Sequence, residues 1–178
     1  TNGQWLLKDG DQLIGSAQPT ELTLTPPTPP TIEQARSAEK YYRGHTQHSF
    51  PTCFVCGPKR AEGDGLRLFC GPVEGREMVA CSWQPHTDFL DDAGNVEEEF
   101  IWAALDCPSY FALNSDKTCL LGQMTAAIDK PVAGDQRLII YAWERSIDGR
   151  KHYSAAALST SDGEVLARAE HLWIELKQ

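Results

Sequence analysis

The hydrophobic and polar residues change their spacing at Gly65, and from there the chain has the patterning of strands. Strands are predicted over residues 66–70, 77–84, 118–128, 136–147, 151–160 and 164–176. Three turn dipeptides, Gly134-Asp135, Asp148-Gly149 and Asp162-Gly163, separate the last four strands at hairpin spacing. This arrangement predicts an antiparallel sheet.

One helix interrupts the strands. The pattern predicts that it begins at Asn95, with Glu97, Glu98 and Glu99 in a first turn whose acidity suits the helix dipole. From Phe100 onward the helix is apolar on every face, which indicates that other structure encloses it. Antiparallel strands around a single buried helix make an α+β domain.

The first 49 residues are organised differently. A hairpin is predicted over 5–7 and 13–17, a stiff proline-rich connector over 25–30, and a polar helix over 32–43 with a capping box of Thr31 and Gln34. Residues 13–17 also echo residues 165–169, so the hairpin is a possible remnant of a second copy of the later domain. The chain is therefore divided into a hairpin and connector (1–30), a short helix and loop (31–49) and a main domain (50–178).

Net charge and the length of apolar stretches limit the kinds of molecule that the protein is expected to bind. The 178 residues carry a net charge of -9, whereas nucleic-acid binding needs a clustered basic surface, so no nucleic-acid partner is expected. No apolar stretch approaches the roughly 18 residues of a membrane span, so no membrane partner is expected either. The six cysteines lie mostly in apolar segments, which favours free thiols in a reducing compartment and predicts a cytoplasmic protein.

Asp106 is the most informative candidate, because it is the one carboxylate in the nearly apolar stretch 102–115. An unpaired buried charge is costly, so such an acid either caps a helix or carries chemistry. Pro108, two residues later, has no N–H and so favours a bend or a new helix start at this point, which is compatible with both hypotheses. Asp106 is either a catalytic or ligand-facing group, or the N-cap of a short second helix that begins near Cys107.

The stretch 104–115, Ala-Leu-Asp-Cys-Pro-Ser-Tyr-Phe-Ala-Leu-Asn-Ser, resembles the central helix of hotdog-fold acyl-CoA thioesterases of the phenylacetyl-CoA type. Residues 120–128, followed by Pro131 and Gly134-Asp135, look like that family's first strand after the helix and its turn. The segment Cys-Phe-Val-Cys-Gly at 53–57, with 65–68, resembles a segment of many uncharacterised hotdog proteins. The resemblance covers residues 50–176 and implies a hotdog fold, with an antiparallel sheet wrapped around one long central helix, and a homodimer.

The resemblance also implies a site. Asp106 matches the family's acid, which serves as general base or nucleophile at a thioester carbonyl, while backbone N–H groups at the start of the helix polarise the carbonyl oxygen. The residues expected around an acyl-CoA substrate are Asn95, Glu99, Phe100, Trp102, Ser109, Gly122 and Met124.

One departure from the family pattern bears on activity. Glu97, Glu98 and Glu99 stand where the family has His-Gly-Gly, and carboxylates at that place repel a developing oxyanion. The alternative function is therefore a non-catalytic acyl- or lipid-binding protein. Hydratase chemistry ranks third, because the histidines nearest to Asp106 in sequence are His86 and His152.

Two further groups are candidates for ligand binding. Lys59 and Arg60 are expected to meet the phosphates of coenzyme A, which enters as part of the substrate, and no separate cofactor is expected. Cys53, Cys56, His45 and His48 have the composition of a zinc site, but the spacing departs from that of a zinc knuckle. A packed loop with free thiols is therefore the favoured interpretation of this segment.

Overall fold

A six-stranded antiparallel sheet forms the body of the protein in a computed structural model, which describes residues 3–177. Its strands are β3 (Gly71–Pro72), β4 (Val79–Trp83), β5 (Cys119–Ile128), β6 (Leu138–Asp148), β7 (Lys151–Thr160) and β8 (Val165–Glu175). A separate hairpin consists of β1 (Trp5–Asp9) and β2 (Gln12–Ala17). The two α-helices are α1 (Ile32–Glu39) and α2 (Glu98–Phe111), and single 3-10 turns occur at Arg43–His45 and Thr87–Phe89. The predicted α+β class and the antiparallel sheet are confirmed.

The order of strands in the sheet is β3-β4-β6-β7-β8-β5. Strands β6, β7 and β8 follow one another through tight turns, where Gly149 and Gly163 adopt the positive φ values of 58° and 88°. Strand β5 pairs with β8 (Ala126 opposite Ala169) and so forms one edge of the sheet. Helix α2 connects β4 to this edge and packs across the sheet between them.

The two faces of the sheet contact different helices. Alternate residues of β6 show this, since Leu138 and Ile140 belong to the apolar core shared with α2, whereas Ile139 and Tyr141 belong to the core shared with α1. These four side chains are fully buried. The sheet is thus covered on both faces, and its central strand is apolar at consecutive positions for that reason.

The proline-rich connector and α1 together cover the outer face, which is the face opposite α2. Two side chains from different strands donate hydrogen bonds to this segment: Arg168 to the carbonyl of Leu24, just before the connector, and Tyr141 to that of Pro27 within it. The predicted capping box is present, because Thr31 Oγ1 accepts from the Gln34 N–H and Gln34 Oε1 accepts from the Thr31 N–H.

Several predicted boundaries need correction. Residues 66–70 are not a strand, because the N–H groups of Leu66 and Leu68 donate instead to Phe54 and Val55 in the preceding loop. Asn95 does not begin the helix but bridges to Ala133, and α2 starts three residues later. The predicted long central helix corresponds to the 14 residues of α2. Neither helix in residues 3–177 has the length and hydropathy needed to cross a membrane.

Candidate active site

Asp106 lies in the interior of α2, which continues without a break past Pro108. Proline removes the N–H that would bond to Ala104, yet the helix still extends to Phe111. Asp106 is therefore not the cap of a second helix, and that alternative is wrong. The side chain of Asp106 therefore does not cap either end of a helix.

The carboxyl of Asp106 is half-buried, and its two oxygens differ. Oδ1 is sealed from solvent and has no hydrogen-bond partner among residues 3–177. Burial, and secondarily the nearby Cys53, raise the pKa of Asp106 to about 6. A carboxyl in this setting holds a proton more tightly than one in water.

A groove of about 1050 Å³ runs between the end of the β1–β2 hairpin, α2 and the edge strand β5. None of the side chains that line it is charged. They are Trp5, Gly15, Ser16, Ala17, Gln18, Pro19, Thr20, Trp102, Leu121, Gly122, Gln123, Met124, Thr125 and Ala126. Asp106 is not among them, but it follows Trp102 by four residues, so the two share one face of α2 one turn apart. Asp106 is thus one helical turn from the wall of the groove.

Three of the predicted substrate residues, Trp102, Gly122 and Met124, are brought together in this groove. Ser109 contradicts its prediction, because it is fully buried and its hydroxyl is used inside the protein. Ser109 Oγ donates to the Asp106 carbonyl at 2.8 Å and accepts from Trp173 Nε1 at 2.8 Å.

The remaining predicted substrate residues lie near the start of α2. Asn95 donates its backbone N–H to Asp91 Oδ1, and the Phe100 ring packs on Phe89 with centroids 4.5 Å apart. Glu99 is exposed with its two acidic neighbours, and its carboxylate raises the pKa of Glu97. The three carboxylates thus lie in solvent at the start of the helix, and none of them lines the groove.

Lys59 and Arg60 lie outside the groove. Arg60 is engaged locally, with Nη1 2.8 Å from Asp64 Oδ1 and Nε donating to the Thr52 carbonyl at 2.9 Å. Lys59 is exposed. Contact of these two cations with coenzyme A phosphates stays a prediction.

The structure brings Cys107 of α2 to the predicted cysteine pair of the preceding loop. Its sulfur lies 3.5 Å from that of Cys53, and the sulfurs of Cys53, Cys56 and Cys107 are all within 4.8 Å of one another. Hydrogen bonds from Cys107 and Cys56 lower the pKa of Cys53 to about 2. His45 is directed elsewhere, against Tyr42 and Phe69. Sequence reasoning missed Cys107 because 54 residues separate it from Cys53.

His171 is a second group that the sequence did not single out. It lies on β8, is 3% exposed, and neither ring nitrogen has a hydrogen-bond partner within residues 3–177. Burial lowers the pKa of His171 to about 3, so the ring is neutral in the folded protein near pH 7. His171, Trp173 and Glu175 are every second residue of β8 and point to the same buried face, and this spacing is the signal from which the burial of His171 could have been predicted.

No family model and no curated protein sequence matches this chain. Solved structures do match in fold. One is a thioesterase superfamily protein with 20% identity and a TM-score of 0.62, over 69% of this chain and 60% of that protein. Another is a phenylacetic acid degradation-related protein from Ralstonia eutropha JMP134, with 18% identity and a TM-score of 0.54 over 61% and 85% of the two chains.

A third is a hypothetical thioesterase from Streptococcus pneumoniae TIGR4, solved with coenzyme A, with 15% identity and a TM-score of 0.53 over 57% and 82% of the chains. This chain spans less than two thirds of the first of these proteins. At these identities the likeness concerns the fold. The order of strands, the crossing helix and these neighbours together show that the chain has the hotdog fold found in thioesterase superfamily proteins.

Proposed function

We propose that the protein binds an acyl-CoA thioester along the groove and hydrolyses it, with Asp106 as general base. The observation that carries the proposal is the placement of an underbonded carboxyl one helical turn from Trp102, which lines an uncharged groove. Uncharged walls suit an acyl chain or the neutral arm of coenzyme A, whose phosphates then lie outside. The coenzyme A-bound neighbour of the same fold supports this class of ligand.

The proposed reaction needs no group beyond the substrate and water. The Asp106 carboxylate takes a proton from water as the oxygen attacks the thioester carbon. The resulting tetrahedral oxyanion needs backbone N–H donors. The first turn of α2 lies about 12 Å along the helix axis from Asp106, so free N–H groups of that turn have to come from the second copy of the homodimer proposed below. The C–S bond then breaks, and the proton passes from Asp106 to the leaving thiolate.

The test is hydrolysis of a panel of acyl-CoA thioesters by the wild type, Asp106→Asn and the control Asp116→Asn. Asp116 is exposed and follows α2, so Asp116→Asn removes the same charge as Asp106→Asn but away from the proposed site. We expect kcat/KM to fall by about 10²-fold or more in Asp106→Asn and to be unchanged in the control. Equal rates in the wild type and Asp106→Asn would remove Asp106 from the chemistry.

Binding without hydrolysis is the second candidate, and the exposed carboxylates of Glu97, Glu98 and Glu99 favour it. Negative charge at the first turn of α2 opposes formation of an oxyanion there. In this case calorimetry would show that the wild type binds an acyl-CoA thioester, and a thiol assay would detect no free coenzyme A. The same titration with Trp102→Ala, which removes a wall of the groove, is then expected to weaken binding.

We also propose that two copies form a homodimer through β5. One edge of this strand pairs with β8 and the other has no partner strand within the described chain, and the large apolar side chains of Leu120 and Leu121 are exposed there. A free strand edge is a template for pairing with a second chain. Such pairing would place a second copy beside the groove.

A further inference from the structure

Three cysteine sulfurs meet at the junction between α2 and the loop that precedes the sheet. Cys53 and Cys56 come from the loop and Cys107 from the helix, and each sulfur is within 4.8 Å of the other two. The sulfurs of Cys53 and Cys107 are 3.5 Å apart. It is the one group of three or more potential metal ligands within this distance in residues 3–177.

A fourth ligand atom lies beside the cluster. His48 Nε2 is 3.4 Å from the sulfur of Cys56. Ligands that share a tetrahedral zinc ion, with Zn–S of about 2.3 Å and Zn–N of about 2.0–2.1 Å, are separated by about 3.5–3.8 Å. The distances between Cys53 and Cys107 and between Cys56 and His48 are thus close to those of ligands around one ion. His48 Nε2 is outside the group whose atoms are all within 4.8 Å of one another, so its ring must shift toward the other sulfurs when the ion binds.

The backbone of the loop is folded to direct both of its sulfurs to the same point. The Gly57 N–H donates to the Cys53 carbonyl at 2.9 Å, and a Cβ at Gly57 would come within 2.6 Å of the Cys53 backbone, so this tight turn requires glycine. The Tyr42 hydroxyl holds the Cys56 carbonyl at 2.8 Å. The pair is therefore held in place by contacts that do not involve the sulfurs.

The ring of His48 is also supported by its surroundings. It packs against Phe111 and Tyr42, with centroids 5.4 and 6.3 Å away. Its Nδ1 accepts the Phe50 N–H at 3.0 Å, and ligation through Nε2 would place a proton on Nδ1 and end that hydrogen bond. Ligation therefore costs one backbone hydrogen bond in an exposed part of the loop and needs a shift of the ring toward the sulfurs.

We propose that Cys53, Cys56, Cys107 and His48 bind one zinc ion in a closed tetrahedral site that joins the 48–57 loop to α2. Thiolate-rich sites select zinc over harder divalent ions such as magnesium. On binding, the thiol protons are released to water and no electrons are transferred. Because all four positions come from the protein, the site stabilises structure and holds the helix next to Asp106. It does not depend on the proposed hydrolysis.

The first experiment uses the full chain, treated with a chelator under reducing conditions and then titrated with Zn²⁺ or Co²⁺. We expect one Zn²⁺ per chain by elemental analysis. Co²⁺ should give intense thiolate charge-transfer absorption together with the visible bands of tetrahedral coordination. The expected loss of affinity is at least about 100-fold in Cys53→Ser and in Cys107→Ser, and none in Cys119→Ser, a buried thiol outside the cluster.

A histidine pair tests the fourth ligand. His48→Gln is expected to weaken Zn²⁺ binding by about 10-fold or more and to change the visible Co²⁺ bands. His45→Gln, three residues earlier in the chain and directed at Tyr42 and Phe69, should leave both unchanged. Unchanged binding in His48→Gln would overturn the assignment of His48. Lack of stoichiometric Zn²⁺ or Co²⁺ binding by the reduced wild type would overturn the site, as would a Cys53–Cys107 disulfide in the isolated protein that reduction does not convert to a metal-binding form.

Discussion

At the scale of single residues, the most unusual groups are polar side chains that the core encloses without partners. Asp106 Oδ1 and both nitrogens of His171 are of this kind within residues 3–177. Burial shifts their pKa values in opposite directions, raising that of the acid and lowering that of the imidazole. Each shift favours the neutral form inside the protein.

His171 gives a prediction for the pH dependence of stability. Its folded pKa of about 3 lies below the ordinary value of 6.5, so below pH 6.5 the unfolded chain binds a proton that the folded chain does not. Stability is therefore lost as the pH falls, by about 2 kcal/mol between about pH 7 and about pH 5. Urea unfolding of wild type and His171→Phe at these two pH values should show this difference between the two proteins.

His171→Met provides a second comparison, because it also lacks a titratable group but fills the space differently. Both variants should show the same change relative to the wild type as the pH is lowered, whatever their absolute stabilities. A difference in unfolding free energy that is the same at both pH values would contradict the depressed pKa of His171.

At the scale of elements, α1 approaches the sheet so closely that one position admits only glycine. A Cβ built on Gly71 of β3 would lie 1.9 Å from the Ala38 carbonyl oxygen and 3.0 Å from the Tyr42 nitrogen. Both atoms belong to backbone, which cannot turn aside as a side chain can. The contact fixes the distance between the outer helix and the sheet.

Gly71→Ala should therefore destabilise the protein by about 1–3 kcal/mol, the range found for overpacked cores. Gly15→Ala is the matched control, because no atom lies within 4 Å of a Cβ built on this hairpin glycine. Thermal unfolding of both variants is the measurement. Equal stability of Gly71→Ala and wild type would show that α1 is free to move away from β3.

The sequence predicted these elements where local signals were sufficient. Strands β5 to β8 were predicted to within two residues at each end, because hydrophobic runs and turn glycines mark them. Residues 66–70 were misassigned: their apolar side chains are buried as in a strand, but the N–H groups of Leu66 and Leu68 donate to the carbonyls of Phe54 and Val55 in a loop. The meeting of Cys107 with Cys53 was beyond the sequence, because it follows from how α2 crosses the sheet.

At the scale of the whole molecule, most of the exposed large apolar side chains lie at two places. One is the hairpin, where Trp5 and Leu7 are more than 60% exposed, and the other is the β5 edge with Trp102 of α2. The groove lies between them. A second copy that pairs with β5 would cover the edge, and its approach determines how far the groove stays open.

The predicted homodimer can be tested by introducing positive charges at the β5 edge. In a two-fold interface each residue recurs on the partner, so the double variant Leu120→Lys with Leu121→Lys places like charges on both sides. Analytical ultracentrifugation should show a wild-type dimer and a monomeric variant. Ile147→Lys, an exposed apolar residue at the end of β6, is the control that should remain dimeric. A monomeric wild type at high micromolar concentration would contradict the prediction.

The N-terminal cover on the outer face limits how larger assemblies can be built. Leu24, just before the connector, and Ala35 and Ala38 of α1 are buried there, and the side chains of Arg168 and Tyr141 donate to the carbonyls of Leu24 and Pro27. Two sheets could stack back to back through this face only after residues 24–39 of both chains had moved away and exposed that apolar surface to water. For the proposed homodimer, this cover therefore leaves the strand edges, and not the outer face, as the apolar surface open to a further copy.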